Sequence, residues 1–271
     1  LTVIYCSSPF DWFLMENSSN FQVRLAETPA DLVAIQRLRY EVFVIEMGAD
    51  CADIDHDKML EQDIYDPHCV HLMLLDIDRN SNPLEQLVGV YRILTPAGAE
   101  AAGGFYSAAE FDLDPLLKSG RKLLELGRSC LRKPYRGGNA MFYLWQGLSA
   151  LIVEQDAEIL FGSASFKGTD IASLAQPLSL LHQEYLTPLS IRPKVVPSAY
   201  ISLSQLETSH IERLTALKAM PALIKAYLRL GGGVGDGAFI DNNFNTTDIC
   251  MVLDIEQMSL RQKSIYFRKL K

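Results

Sequence analysis

Residues 123–131, LLELGRSCL, form an apolar run that carries two charged side chains. The run, extended by one residue to begin at Lys122, predicts a buried strand. Gly127 interrupts it and indicates a β-bulge or a close approach of a ligand to the backbone. Glu125 is a candidate general base, because apolar surroundings raise the pKa of a carboxyl group towards the range needed to deprotonate an ammonium group near neutral pH. A purely structural ion pair between Glu125 and Arg128 is the alternative.

The pattern upstream of this run predicts a strand, a helix and a hairpin. Apolar residues recur three or four positions apart over Asp31–Ile45, which indicates one amphipathic helix. Its predicted apolar face consists of Leu32, Ile35, Leu38, Val42 and Ile45. A turn over residues 80–83 joins two of the strands as a hairpin. The predicted strands are Phe21–Leu25, His71–Asp76 and Gln86–Leu94.

The pattern downstream alternates between helices and strands. The next helix is predicted over Arg136–Val153, and its apolar side consists of Phe142, Trp145, Leu148, Leu151 and Ile152. Three glycines at 231–233 predict the end of another helix. The remaining predicted elements are the strands Ile159–Gly162 and Ile249–Leu253 and the helices Ile171–Tyr185 and Ile211–Leu230.

This order of elements predicts an α/β (α+β) fold with a mixed central sheet flanked by helices on both faces. We expect a single domain over residues 20–271. From about residue 186 the periodicity weakens, and we interpret that region as a C-terminal helical extension of the domain. Residues 1–19 are interpreted as an N-terminal tail, either disordered or foreign to the natural chain.

Composition excludes several classes of protein. A net charge of −8 over 271 residues argues against nucleic acid as the main partner. The five cysteines are scattered and odd in number, and neither they nor His68, His71 and His182 show the spacing of a metal site, so we expect no metal. Since the N-terminal stretch matches neither a signal peptide nor a membrane span, we expect a cytoplasmic protein.

A group of charged residues indicates a binding site for a cation. Glu61, Asp63 and Asp66 are close in sequence, and convergent carboxylates hold an ammonium group by charge-assisted hydrogen bonds. Arg39 is predicted on the first helix, and Arg92 in an otherwise apolar strand must either face solvent or pair inside. For each of these residues taken singly, an ordinary surface charge is the simpler interpretation.

Basic residues are concentrated around the same strand. Residues 121–136 contain six of them against the single acid Glu125, which fits either the docking of a phosphate or acidic partner or a solvated face. Gly137 and Gly138 follow Arg136 before the predicted helix, and backbone N–H groups at such a position bind phosphates. A second basic run at 261–271 fits contact with anionic lipid or a frayed terminus. The turn-rich segment 235–248 carries no assigned role.

Taken together, these motifs resemble two related families. The order Arg39-x-x-x-Phe43, Glu61-x-Asp63-x-x-Asp66, Arg92, Glu125-x-x-Arg128 resembles the charged framework of acyl-homoserine lactone synthases, which are GNAT-like. Four later segments are similar to the haemolysin-like family, which includes L-ornithine N-alpha-acyltransferases; they are ELGRSC (125–130), FGSASF (161–166), PALIKAYLRL (221–230) and FNTTD (244–248).

The resemblance implies an N-acyltransferase that moves a (3-hydroxy)fatty acyl group from acyl carrier protein to the α-amine of L-ornithine, giving lyso-ornithine lipid. It implies no bound cofactor, because the acyl-phosphopantetheine of the carrier is a substrate. Two departures from the motifs of related enzymes narrow the choice of acyl donor and acceptor. Asn139 replaces a glycine of the usual GNAT phosphate loop, which counts against acetyl-CoA as donor. Met47 lies where lactone synthases carry a tryptophan, which counts against an adenosylmethionine pocket.

On this basis we expect direct transfer with Glu125 as base and Arg128 beside it in the catalytic group. Backbone N–H groups at Gly127 would stabilise the oxyanion. We expect the acceptor to contact Arg39, Phe43, Glu61, Asp63, Asp66 and Arg92, and the phosphopantetheine to contact Arg132, Arg136, Gly137 and Gly138. The rivals are an acyl-homoserine lactone or N-acyl amino-acid synthase with the same donor, a membrane-lytic protein, and an inactive carrier-binding module.

Overall fold

The computed structural model describes residues 20–82 and 84–266; the predicted tail at 1–19 and the last basic residues, Arg268, Lys269 and Lys271, lie outside them. The strands are β1 Phe21–Leu25, β2 Val70–Asp76, β3 Leu87–Leu94, β4 Phe111–Asp112, β5 Leu123–Leu131, β6 Ile159–Lys167, β7 Lys194–Val195, β8 Gly233–Val234, β9 Phe239–Asp241 and β10 Thr246–Asp254. The α-helices are α1 Pro29–Arg39, α2 Pro96–Ala102, α3 Asp114–Leu117, α4 Ala140–Glu154, α5 Ala175–Glu184, α6 Arg213–Ala219, α7 Ala222–Arg229 and α8 Leu260–Tyr266. A π-helix covers Tyr40–Glu46, and short 3₁₀ turns include Tyr106–Ala109 and Lys133–Tyr135.

The central sheet is mixed, as predicted. Its strands follow the order β1-β2-β3-β5-β6-β10-β8, and β9 pairs with β10. β5 and β6 run parallel, whereas the other described pairs of this sheet are antiparallel, including the predicted β2–β3 hairpin. The region after residue 186 contains the expected helices and also supplies β10, which lies beside β6 across its whole length. That region is therefore part of the sheet.

Helices cover both faces of the sheet. Alternate residues of a strand point to opposite faces, so neighbouring side chains enter different cores. Leu72 and Leu74 pack in the core that holds α4, α5, α6 and α7, whereas Met73 and Leu75 pack against α1 on the other face. α2 and α3 cover the remainder of that second face. None of the helices in the described ranges is long and apolar enough to cross a bilayer.

The two parallel strands separate halfway along their length. β5 and β6 pair only over Leu123–Glu125 and Ile159–Phe161; beyond that point β5 continues along β3 and β6 along β10. The predicted irregularity of β5 is present, with a register shift opposite β3 and a left-handed backbone at Arg128, φ 47°. The separation opens a wedge in the sheet, lined by the backbone of both strands.

Gly162 stands where the strands part, and its lack of a side chain permits the close approach. Its φ is 158°, and a Cβ atom there would lie 2.1 Å from the carbonyl oxygen of Leu126. We expect Gly162→Ala to lower the free energy of unfolding by about 1–3 kcal/mol or more, which is the usual cost of overpacking. Urea denaturation measures it. Gly127→Ala is the matched control, because a Cβ there meets no atom within 4 Å; equal loss in both variants would contradict the steric explanation.

The predicted first helix is wrong in its second half. α1 ends at Arg39, and the next turns are π-helical over Tyr40–Glu46. A π-turn holds more residues than an α-turn, so the positions that follow rotate out of the predicted apolar face. Val42 is still buried, but Ile45 is 67% exposed.

Two further helix predictions need correction. Helix α4, which connects β5 to β6, begins at Ala140 rather than Arg136. Phe142 on its first turn is 40% exposed instead of lying on the buried side. The predicted helix over 211–230 is divided into α6 and α7 at Pro221, which lacks an N–H and holds Met220 in an extended conformation.

Candidate active site

A cavity of about 210 Å³ occupies the wedge between the diverging strands. Of the predicted site residues, Glu125, Arg128, Arg92 and Phe43 line it, and so does Gly127, the predicted oxyanion site. The wall also contains apolar and polar side chains to which the sequence analysis gave no role in the site; these include Tyr91, Tyr106, Ser163, Leu223, Tyr227, Asp241, Phe244, Thr246, Asp248 and Met251.

Glu125 is buried, and two backbone N–H groups fix its carboxylate. The amides of Tyr106 and Ser107, at the start of the 3₁₀ turn, donate to its two oxygens at 2.7 and 2.6 Å. Burial raises the pKa of Glu125 above its ordinary value, and the hydrogen bonds from Ser107 and Tyr106 partly oppose that rise. A carboxyl group with a raised pKa at a cavity wall has the properties of a general base. The alternative of a Glu125–Arg128 ion pair is not what the structure contains, because Arg128 pairs with other acids.

The other predicted charges form one buried network. Arg39 donates to Glu61, and to Asp66 at 2.7 Å. Arg92 donates to Asp63 at 2.6 Å and to Asp66 at 2.9 Å. Arg128 completes the group with contacts to Glu61 at 3.0 Å and Asp63 at 3.1 Å. The network members are Arg39, Arg92, Arg128, Glu61, Asp63 and Asp66.

The network balances its own charge. Each carboxylate in it contacts two arginines, and Arg39 is 0% exposed, so the simpler interpretation of Arg39 as a surface charge is wrong. Nearby arginines hold the pKa of Glu61 and of Asp66 below their usual range despite burial. Arg128 also lies between two rings, 4.7 Å from the centroids of Tyr106 and Phe244. The role predicted for these acids, holding an acceptor ammonium, stays a prediction, and their carboxylates already have cationic partners.

Sequence reasoning missed a second group of carboxylates, two of which, Asp241 and Asp248, line the cavity. Oxygens of Glu110, Asp241 and Asp248 lie within 4.8 Å of one another, and we call these three residues the acid cluster. The Ser163 hydroxyl lies 2.7 Å from Glu110 and 3.4 Å from Asp248. The three acids come from the end of the 3₁₀ turn, β9 and β10. Their sequence spacing gives no signal; only the turn-rich segment 235–248 and the FNTTD motif marked part of it.

The acid cluster predicts a characteristic dependence of stability on pH. Burial, and then the charge of Asp248, raise the pKa of Glu110 to about 8, while Ser163 and Arg128 oppose the rise. Between the ordinary carboxyl pKa and 8 the folded protein therefore binds more protons than the unfolded chain, and stability falls as pH rises through that window. We expect Glu110→Gln to show a flatter fall between pH 5 and 8 in thermal denaturation; an unchanged slope would show that Glu110 does not titrate there.

The predicted donor-binding residues lie beyond the end of β5, at the start of α4. Arg132 and Arg136 donate through Nε to the carbonyl oxygens of Leu87 and Leu131, both at 2.9 Å, and their guanidinium groups pair with Glu41 and Glu46. Gly137 and Gly138 form an exposed turn before α4, and the φ of Gly137 is 80°.

The basic residues of 121–136 do not form one patch. A strand rises about 3.3 Å per residue, so β5 places Arg121 and Lys122 roughly 30 Å from the residues after Leu131. At the first end Arg121 pairs with Asp254 at 2.7 Å and Lys122 with Asp156 at 2.5 Å.

Cys130 offers no support for an acyl-enzyme. It packs on the α1 face of the sheet, and burial raises the pKa of its thiol to about 12, which disfavours the reactive thiolate. We expect Cys130→Ala to retain kcat within about twofold of the wild type in a steady-state acyl-transfer assay, since direct transfer does not use it. Loss of all turnover in a folded variant would overturn direct transfer.

Comparison with known proteins agrees with this architecture. Residues 38–146 match the acetyltransferase (GNAT) domain family. The chain is 46% identical to an L-ornithine N(alpha)-acyltransferase from Rhodobacter capsulatus, with 93% of this chain and 96% of that protein covered. It is 38% identical to the enzyme of the same name from Brucella abortus, with 94% and 92% covered.

A solved structure shares the fold at low identity. The CoA-dependent acyl-homoserine lactone synthase BjaI, in its structure with MTA, superposes with a TM-score of 0.50 at 13% identity, covering 92% of this chain and 89% of that one. Identity at that level shows a common fold and no more. The full-length similarity to the two enzymes above shows the family: the chain is an N-acyltransferase that belongs to the L-ornithine N(alpha)-acyltransferase family and carries a GNAT domain.

Proposed function

We propose that this protein transfers a (3-hydroxy)fatty acyl group from acyl carrier protein to the α-amine of L-ornithine, with lyso-ornithine lipid as the product. The observation that carries the proposal is 46% identity over nearly the whole length of an enzyme named for ornithine N-acylation. The cavity adds a physical argument, because it combines a buried carboxylate at Glu125 with an excess of negative charge suited to a cationic acceptor.

The proposed reaction is a direct displacement at the thioester. Glu125, directly or through a water molecule, takes a proton from the α-ammonium of the acceptor. The freed nitrogen attacks the thioester carbonyl, the C–N bond of the amide forms, and the C–S bond breaks. The nitrogen loses its second proton to the departing thiolate, which leaves as the phosphopantetheine thiol, and Glu125 releases the first proton to solvent. Backbone N–H groups of the open strand edge at Gly127 would stabilise the oxyanion, since no side chain blocks that position.

The acceptor carboxylate is assigned to the arginines at the cavity. Arg92 and Arg128 both line it. Arg128 is the better placed of the two, because its guanidinium is held between the rings of Tyr106 and Phe244, which leaves its orientation fixed before substrate arrives. Phe43 supports that arrangement through an edge contact with Phe244, with ring centroids 6.1 Å apart.

We assign the acyl donor to the end of the wedge where α4 begins. α4 begins after the Gly137–Gly138 turn, and its N-cap Asn139 makes no side-chain capping bond. The N–H groups of Ala140 and Met141 are therefore open to an anion, whereas that of Phe142 donates to the carbonyl oxygen of Asn139. Arg136, whose side chain is 41% exposed, is anchored beside them. These groups suit the phosphate of a phosphopantetheine arm, and the acidic carrier would approach the exposed Lys133. A peripheral contact with anionic membrane is part of the same proposal, since the product is a lipid.

A screen of donors and acceptors tests the proposal. Purified protein is supplied with 3-hydroxyacyl, plain acyl and acetyl groups on acyl carrier protein or CoA, each against ornithine, lysine, glutamine and adenosylmethionine. We expect the fastest turnover with 3-hydroxyacyl carrier protein and ornithine, and a product of mass equal to the monoacylated amino acid. A lactone from adenosylmethionine would instead identify a lactone synthase, and equal rates with CoA thioesters would remove the carrier from the proposal.

A further inference from the structure

Acidic side chains without a basic partner meet in the acid cluster, of which Asp241 and Asp248 line the cavity. The network acids Glu61, Asp63 and Asp66 are matched by three arginines and contribute no net charge. Within the described part of the chain, neither Glu110, Asp241 nor Asp248 forms an ion pair with a basic side chain. Burying carboxylates together without a cation is costly, because each disfavours the charged form of the others. Without a cation the cluster holds protons instead, and burial and the charge of Asp248 raise the pKa of Glu110. A cationic ligand would balance the charge and allow those protons to leave.

One acid of the cluster is left short of hydrogen bonds. Asp248 is 4% exposed and lines the cavity. Burial raises the pKa of Asp248, and the nearby hydroxyls of Ser165, Thr246 and Ser163 oppose that rise, but none of the described residues reaches its Oδ1 within hydrogen-bond distance. The Ser163 hydroxyl has one proton and lies between Glu110 and Asp248, so it donates to one of them at a time. Asp241 accepts from the backbone amides of Asn243 and Phe244 through Oδ1. The unmet acceptor at Asp248 therefore points to a donor that comes with the ligand.

We propose that the acid cluster of Glu110, Asp241 and Asp248 is the subsite that binds the side-chain ammonium of the acceptor amino acid. This rests on the proposed function, and it replaces Glu61, Asp63 and Asp66 in that role. An alkylammonium group has three N–H donors and a single charge, which three converging carboxylate oxygens can satisfy. Because Glu125 lines the same cavity, the acceptor would be held by its side chain while its α-amine meets the base.

The proposal accounts for selection of a dibasic acceptor. An amino acid with an uncharged side chain leaves the cluster without its cation, and a site built to hydrogen-bond a polar group rejects analogues that lack it. Norvaline has the carbon chain of ornithine without the terminal amine, so it isolates the contribution of the ammonium. Replacing one acid by its amide should weaken ornithine binding while leaving norvaline almost unaffected.

The test compares kcat/KM for ornithine and norvaline in the wild type, Asp248→Asn and Glu110→Gln, with the same acyl donor. In Asp248→Asn we expect kcat/KM for ornithine to fall about 100-fold, the effect of removing one partner of a buried charge pair, and norvaline turnover to stay within about threefold. Asp254→Asn is the matched control: it lies on the same strand, pairs with Arg121 far from the cavity, and should leave the ratio unchanged. Circular dichroism reports independently of turnover that each variant is folded.

The outcomes separate this inference from the proposed function. A wild type that does not acylate ornithine defeats the proposed function. A wild type that prefers ornithine, with the same preference in both Asp248→Asn and Glu110→Gln, overturns the subsite alone. Equal loss of ornithine and norvaline turnover in both folded variants also overturns it, since the acids would then serve the chemistry rather than the side chain.

A divalent cation is the competing occupant of three carboxylates. Titration calorimetry of the wild type with Mg²⁺ and Ca²⁺, and assays after treatment with EDTA, distinguish it. We expect no heat of metal binding that depends on Asp248. We also expect full activity after chelation. Metal binding that depends on Asp248, together with loss of activity in EDTA, would assign the cluster to a metal instead.

Discussion

Glu125→Gln is expected to lower kcat about 1000-fold while the protein stays folded. A positioned general base contributes roughly 10²–10⁴ to a rate, and the amide keeps the shape of the side chain without its basicity. The glutamine oxygen can accept from only one of the two backbone amides that donate to Glu125. The other amide loses its acceptor, so we expect the variant to lose about 1–3 kcal/mol of stability and to remain folded. Steady-state acyl transfer at saturating donor and acceptor measures the effect, and circular dichroism confirms the fold.

The pH profile gives the same prediction a second readout. Transfer requires the deprotonated form of Glu125, so the rate should rise with pH through the pKa of that residue, and burial places this rise above the ordinary carboxyl range. Glu158→Gln is the matched control, since its carboxylate caps the backbone amide of Lys122 outside the cavity. Turnover at the wild-type rate in Glu125→Gln would show that Glu125 is not the base. If the wild type and all variants bound the carrier equally and none had activity, the protein would instead be an inactive carrier-binding module.

Arg39→Met is expected to lower the free energy of unfolding by about 3–5 kcal/mol, the usual cost of removing one partner from a buried ion pair. Methionine fills similar space, but Glu61 and Asp66 would each lose one of their two arginine partners inside the protein. Arg39 does not line the cavity, so the effect acts on stability first. Urea denaturation measures it.

Two variants accompany Arg39→Met. Arg37→Met lies on the exposed side of the same helix and should change stability by less than about 0.5 kcal/mol, as is usual for surface sites. Adding Glu61→Gln to Arg39→Met should recover part of the loss, because the neutral amide no longer leaves an unpaired charge. A loss below about 1 kcal/mol in Arg39→Met would show that the network contributes little to folding.

Much of the fold was predictable from local pattern. Strands with apolar alternation, such as Phe21–Leu25, and the hairpin that follows were found with nearly their observed bounds. Two of the wrong predictions concern backbone changes within a helix. The π-turns after Arg39 and the break at Pro221 interrupt a periodicity that otherwise continues through them. Helical periodicity reports which residues are apolar, but it does not report a change in the number of residues per turn.

The part of the site that lies in short sequence motifs was predictable. Glu125 and Arg128 stood out because charged residues are unusual in an apolar strand, and both line the cavity. The partners of those charges were not predictable. The sequence indicates that Arg39 and Glu61 are charged, yet only the packing of α1 against the sheet shows that they neutralise each other.

The sequence by itself determined the family and the mixed sheet and marked Glu125 as a candidate base, because these depend on motifs and local periodicity. The tertiary structure alone decided where acidic side chains without a basic partner meet. Glu110 and Asp248 are far apart along the chain, and their carboxylates meet only because β10 returns to pair with β6 beside the opening of the wedge. Spacing along a chain carries no signal for a group assembled by strand pairing at such a distance, so the acid cluster could be found only in the folded protein.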